Sequence, residues 1–280
     1  MRTAVVTDST AYLTVEERET YHIQIVPLSV HLEDGTYEEE VSITAEQFYD
    51  KVRNAKQFPK TTQPSLGKFV ELFEKLGETY DEVVSIHLSS GISGTYQGAL
   101  QAANMVDNIK VFAFDSEVAC GPQGMYAIEA AKLAAKGATA AEILAHLEEL
   151  KTSLGAYFIV DDLGHLQRGG RLSATAALIG GLLQVKPILY FADKKIEPFE
   201  KIRTQKKAMR RVEELLREAV DKYGELQAVV IHANCEEQGR KWLESLKAEF
   251  PTVDFKFSYF GPVIGTHLGE GSLALGWLKK

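Results

Sequence analysis

Two short stretches rich in small hydroxyl residues carry the chemistry in this chain. Ser89-Ser90-Gly91-Ile92-Ser93-Gly94-Thr95 lies between a β-branched run at 83–88 and a helical pattern that begins at Tyr96. At such a junction the first N–H groups of the helix have no backbone partner, and the helix dipole presents its positive end. Glycines let the chain approach a ligand closely, and the Ser and Thr hydroxyls add donors, so the stretch suits a carboxylate or a phosphate. A capped helix after a tight loop would look the same without any ligand. The loop is neither a Walker A motif nor a dinucleotide fingerprint, because Gly-Lys-Ser/Thr and Gly-x-Gly-x-x-Gly are both absent. Gly91-Ile92-Ser93-Gly94-Thr95 does approach the Gly-x-Ser-x-Gly nucleophile elbow, with Thr95 in place of the last glycine. With His232 and His267 downstream, a serine esterase built on Ser93 is the alternative from another class.

Thr61-Thr62-Gln63-Pro64-Ser65 repeats the arrangement, with hydroxyls and an amide before a helix that Pro64 is suited to begin. If both loops sit at the carboxyl edge of one open sheet, where α/β folds bind ligands, they share one anion. Asp8, Asp115 and Ser116 fall on that edge too, and are expected to bond to loop backbone rather than to touch an anion. Leu163 to Ser173 combines glycines with His165, Arg168 and Arg171; guanidinium forks suit carboxylate or phosphate, and a solvent-facing turn is the plainer reading. His267 stands between glycines in an apolar stretch, where either charge state can donate through a ring N–H. Lys201, Arg203, Lys206, Lys207, Arg210 and Arg211 crowd the start of a helix, where positive charge opposes the dipole. They read as a solvated face or as a docking patch for an acidic or phosphate-carrying partner.

The elements that must hold these residues alternate between strand and helix almost throughout. Strands are expected at 3–7, 23–32, 83–88 and 109–114. Helices are expected from Thr14 and Thr44, each opening on a capping box with Glu17 and Gln47, then at 66–76, 96–105, 122–136 and 140–150, the last boxed by Thr139 and Glu142. After a strand at 157–160 the pattern shifts. A small-residue helix reaches Leu183; its apolar faces either pack on a sheet or leave a slot for a fatty chain. A hairpin turns at Asp193-Lys194-Lys195, and two more helix and strand units follow. The expected fold class is α/β with two domains. Residues 1–155 form a doubly wound, mostly parallel sheet with helices on both faces, and residues 156–280 form an α+β domain with a mixed sheet.

Composition narrows the function. The 280 residues are 45% hydrophobic and 25% charged, which is enough to bury a core. The net charge of −8 disfavours a nucleic-acid partner. Two cysteines, Cys120 and Cys235, give no disulfide framework and no metal cluster, and fit a reducing cytoplasm. No signal-peptide pattern opens the chain, and its longest apolar stretch, 174–183, is too short for a bilayer. No metal or cofactor is expected.

In register along the whole chain, Thr7-Asp8-Ser9-Thr10, Thr61 to Ser65, Ser89 to Thr95 with Tyr96-Gln97, Leu166 to Ser173, Lys186-Pro187-Ile188 and Gly265-Thr266-His267 resemble the DegV family of bacterial fatty-acid-binding proteins. The resemblance implies a long-chain fatty acid in a buried tunnel between and within the two domains. It implies carboxylate contacts from the hydroxyls of Thr61 and Thr62, Ser93 with the Gly94 backbone, and nearby His267. It also implies a carrier without catalysis of its own, serving the catalytic subunit of fatty acid kinase in phospholipid synthesis, with Arg171 and Arg203 engaging the kinase or the transferred phosphate. A monomer is expected. One departure is Glu270, between Gly269 and Gly271, where the family usually has Pro. The resemblance fits the residues themselves: a neutral cradle of hydroxyls and amides holds a carboxylate yet leaves it nucleophilic, which a direct Arg or Lys clamp would blunt.

Overall fold

The computed structural model describes residues 2–172 and 186–280. Ser173 and the apolar stretch at 174–183 therefore lie outside the described residues. The first sheet has the order β2-β1-β6-β7, from β1 (Thr3–Asp8), β2 (Gln24–Val26), β6 (Glu82–His87) and β7 (Lys110–Asp115), and every neighbour pair is parallel. All residues of β1 and β6 are buried, so both faces need covering. Helices α3 (Leu66–Gly77) and α4 (Thr95–Ala103) cover one face, with Phe69, Phe73, Ala99 and Ala102 against Val6 and Val83. Burying a phenylalanine this completely stabilises the fold by roughly 2–3 kcal/mol. Helices α5 (Gly121–Ala135) and α6 (Ala140–Lys151) cover the other, through Met125, Ile143 and Leu147.

Beyond α6 the chain enters a six-stranded mixed sheet: β8 (Gly155–Ile159), β9 (Lys186–Ala192), β10 (Lys195–Ile202), β11 (Leu226–His232), β12 (Asp254–Tyr259) and β13 (Leu273–Lys279). Its order is β10-β9-β8-β13-β11-β12, parallel at β11–β12 and antiparallel elsewhere. Helices α8 (Gln205–Tyr223) and α9 (Glu236–Glu249) pack on its outer face through Val212, Leu216, Trp242 and Leu246. The inner face, with Phe158, Leu189, Ile231 and Ala274, shares one continuous core with α5 and the parallel sheet. The layers thus run helices, parallel sheet, α5 and α6, mixed sheet, helices. This is the expected α/β class, with helices on both faces of the parallel sheet.

The three predicted capping boxes form with reciprocal bonds, at α1 (Val15–Thr20), α2 (Ala45–Val52) and α6. Three details differ from expectation. The run 23–32 is not one strand: Pro27 offers no N–H and ends the parallel ladder. The chain then forms β3 (Ser29–Leu32), which pairs with β4 (Gly35–Glu38) and β5 (Lys60–Thr62) in a small antiparallel sheet. Pro64 precedes the N-cap Ser65 of α3 instead of entering its first turn. Strand β13 was not expected at all, although it lies inside the mixed sheet. Six of its seven residues are buried, so it shows no polar alternation. Two short helices complete the site: α7 (Gly164–Gly169), in the glycine-rich segment, and α10 (Pro262–Leu268).

Candidate functional site

A cavity of about 270 Å³ lies between the segments that follow β6 and β7 and the inner face of the mixed sheet. Leu88, Val118, Ala119 and Cys120 line it from the parallel-sheet side, and Phe158, Phe191, Ile196 and Ile231 from the mixed sheet. Phe260, Val263, Ile264 and Leu268 of α10 and its approach form a further wall. Small residues at Ala156, Ala274 and Gly276, in neighbouring strands β8 and β13, keep the sheet surface low beneath it.

Polar groups collect among the loops that border this apolar space. Thr61, Thr62, Ser93, Gly94, Arg171 and His267 all border it, so the fold brings together six of the seven residues singled out from sequence. Arg203 is exposed between β10 and α8 and does not border the cavity. Successive residues of β5 face opposite ways. Thr61 Oγ1 meets His267 Nε2 at 2.9 Å, whereas the Thr62 hydroxyl turns to His31 Nε2 at 3.0 Å. Of the pair, Thr61 aims its hydroxyl at the polar cluster and Thr62 does not. Ser93 Oγ lies 2.8 Å from Thr95 Oγ1 and accepts the Thr95 N–H. Gly94 is the N-cap of α4, and a Cβ there would stand 2.1 Å from Gln63 Oε1, so the two hydroxyl loops touch at this glycine.

His267 is 8% exposed, and its Nδ1 has no hydrogen-bond partner among the described residues. Burial first, then the neighbouring Arg171 and His165, push its pKa down to about 3, so the ring is neutral at physiological pH. Gly169 lets it sit there, because a Cβ would come within 2.2 Å of that Nδ1. Arg171 brings a half-buried positive charge to the cavity wall. Its Nε donates to Ile92 C=O at 3.1 Å and its Nη1 to Gly169 C=O at 2.8 Å. The guanidinium is thus fastened to backbone on two of its edges. Glu270 leaves His267 in place: it pairs with Arg53 at 2.9 Å and accepts from Asn234 at 2.7 Å, outside the cavity wall.

The acids behave as expected from their position at the sheet edge. Asp115 accepts the Ser90 and Glu117 N–H groups, and Ser116 Oγ donates to Val118 C=O. Asp8 accepts at 3.0 Å from the N–H of Leu88, the residue just before the Ser89 to Thr95 loop. Burial pushes the Asp8 carboxyl up, but bonds from His87, Thr10 and Leu88 outweigh it and hold the pKa below the usual carboxylate range. A Ser-His-Asp chain does exist, unnoticed in the sequence: Ser85 Oγ to His87 Nε2 at 2.7 Å, and His87 Nδ1 to Asp8 at 3.0 Å. All three are fully buried inside the sheet, so it braces β1 against β6. The esterase arrangement needs Ser93 on a histidine base; Ser93 pairs with Thr95, and the nearby His267 with Thr61.

Sequence reasoning also missed Glu39, which is fully buried behind α10. It accepts from Ser9 Oγ at 2.6 Å, Tyr12 OH at 2.9 Å and Val263 N–H at 2.7 Å. It thereby satisfies the first turn of the helix that carries His267. Burial pushes its pKa up to about 8.

Fold and site together define a class: α/β proteins in which a parallel and a mixed sheet enclose an apolar cavity bordered by neutral hydroxyls, an imidazole and one tethered guanidinium. A family model described as "Uncharacterised protein, DegV family" matches residues 2–280, and the chain belongs to the DegV family. It is 54% identical over 281 residues to protein DegV of Bacillus subtilis strain 168, covering all of both chains. Among solved structures, the fatty acid binding protein DegV from Bacillus subtilis superposes with a TM-score of 0.95 at 53% identity, again over the whole of both chains. A DegV family protein from Thermus thermophilus, described for its fatty acid binding, superposes with a TM-score of 0.94 at 30% identity over both full chains.

Proposed function

We propose that this protein is a carrier that holds one long-chain fatty acid in the cavity and offers its carboxyl to a separate kinase. The observation that carries the reading is the one-sided polarity of the cavity, with apolar walls on both sheets and donors gathered at Thr61, Ser93, the α4 N-terminus and His267. The fatty acid binding described for relatives of the same fold supports it. Taking a carboxylate from water costs several kcal/mol unless donors replace the lost hydration. The Thr61 and Ser93 hydroxyls and the first N–H groups of α4 supply them. Because His267 is neutral and Arg171 is already bonded to two carbonyls, the carboxylate meets positive potential without a bidentate clamp, and its oxygen stays nucleophilic.

In the presence of the kinase, that oxygen attacks the γ-phosphorus of ATP, giving an acyl phosphate and releasing ADP. The carrier contributes orientation and exclusion of water. Residues 1–155 and 156–280 act as two domains with the ligand between and within them, and exposed Arg203 with its basic neighbours faces the kinase. The test is direct: delipidated protein is reloaded with palmitate and incubated with the kinase subunit, ATP and hydroxylamine. Hydroxamate that requires all four components supports the reading. Hydroxamate that forms without the carrier, or none with all components present, overturns the kinase role. Failure of palmitate to reload overturns the carrier itself.

A further inference from the structure

The Ser89 to Thr95 loop is held by the turn between β9 and β10. Strands β9 and β10 meet in a two-residue turn, Asp193-Lys194, and both residues have positive φ (46° and 70°) as such tight hairpins require. The tip of this edge hairpin crosses from the mixed sheet to the hydroxyl loop. Ser89 Oγ donates to Lys194 C=O at 2.6 Å. At Gly91 a Cβ would stand 2.2 Å from that same carbonyl oxygen. Gly91 is not in the left-handed region, so the hairpin, and not the local backbone conformation, demands glycine there.

A second link runs through charge. Lys194 Nζ pairs with Asp115 at 3.1 Å, and Asp115 also accepts from Ser90 N–H at 3.1 Å and Ser90 Oγ at 2.5 Å. A third runs through the glycine-rich segment: Leu172 bridges Ile196 of β10, and its neighbour Arg171 donates to Ile92 C=O. Hairpin residues Phe191 and Ile196 themselves line the cavity. Among the described residues, few polar contacts hold the tip, Lys194 also lying 3.8 Å from Glu117. One is a single hydroxyl bond, and another is an ion pair whose lysine side chain is 44% exposed, hence screened by salt. A fastening of this kind opens at small cost, two residues before Gly91 and four before Ser93.

We propose that the β9–β10 turn is a clasp on the ligand loop, with Ser89, Gly91 and Lys194 as positioning residues that set how fast a bound acid leaves. This rests on the cavity being the fatty-acid site. The closing experiment therefore loads full-length protein with cis-parinaric acid and follows its displacement by excess oleate in stopped flow. Ser89→Ala and Gly91→Ala are expected to release the probe about five to ten times faster, the effect of losing roughly one hydrogen bond, with association changed less than about twofold. Lys194→Gln, an exposed change, is expected to release faster at low salt and to lose the salt acceleration expected of the wild type, whereas Lys194→Arg restores both. Wild-type release rates in Gly91→Ala, together with unchanged salt dependence in Lys194→Gln, would overturn the clasp while leaving the cavity reading intact. A wild type that takes up no probe overturns both.

Discussion

Glu39 makes a pH dependence that is specific enough to be wrong. Its ordinary pKa is 4.5, and burial raises it to about 8 in the folded chain. A folded-state rise means that the proton binds more tightly in the native protein than in the unfolded one. The resulting stability is fully present below pH 4.5, is lost as pH rises through about 8, and is constant beyond. At about 1.4 kcal/mol per pH unit the whole excursion is at most about 5 kcal/mol. The perturbation is Glu39→Gln, which keeps acceptors for Tyr12 OH and Val263 N–H and cannot ionise. The assay is urea denaturation of both proteins from pH 5 to pH 9, read as the difference between them. Other groups cancel in that difference, including His267, whose depressed pKa costs stability as pH falls from 6.5 toward 3. Near pH 5 the variant is expected within about 1 kcal/mol of the wild type, one hydrogen bond at Ser9 being rearranged. By pH 9 it gains several kcal/mol on the wild type. A difference that stays flat across the range would refute the burial argument for Glu39.

Three further outcomes follow from the site. Thr61→Val removes a hydroxyl beside the proposed carboxylate site and is expected to weaken palmitate binding about 10- to 100-fold, the usual weight of a hydrogen bond to a charged group, measured by displacement of a fluorescent fatty acid. His267 is expected to show the nitrogen shifts of a neutral ring in 15N NMR down to pH 5, since its pKa is about 3; an imidazolium pattern at pH 6 would contradict the burial seen at α10. Ala274→Leu adds carbons that the cavity accepts, so thermal stability without lipid holds or rises while lipid uptake is lost; unchanged uptake would mean that the chain lies elsewhere.

Much of this was readable from residue order because local rules and the fold agree. The strands of the parallel sheet announce themselves as apolar runs, and three capping boxes mark helix starts to the residue. The two hydroxyl stretches were legible because small hydroxyl residues just before a helix suit an anion on general grounds, and residues of both border the cavity. What escaped depends on contacts between distant segments. Strand β13 is buried on both faces and has no alternation to detect. The antiparallel sheet of β3, β4 and β5 depends on Pro27 diverting the chain, and β5 is three residues long. That Thr61 turns inward and Thr62 toward His31 follows from the pairing of β5 with β3, a register that composition does not reveal. Arg171 drew notice as a fork for anions, yet only the fold shows two of its donors bonded to Ile92 and Gly169. Ser85, His87 and Asp8 are separated along the chain by up to 79 positions and meet because β1 and β6 are neighbours.

The central claim is that one fatty acid occupies the cavity. Native mass spectrometry of the purified protein, followed by organic extraction, tests it most directly. A single adduct per chain is expected, with the mass of a long-chain acid, recovered in the extract and lost in Ala274→Leu. A chain that carries no adduct and ignores added myristic, palmitic, stearic and oleic acids would contradict it.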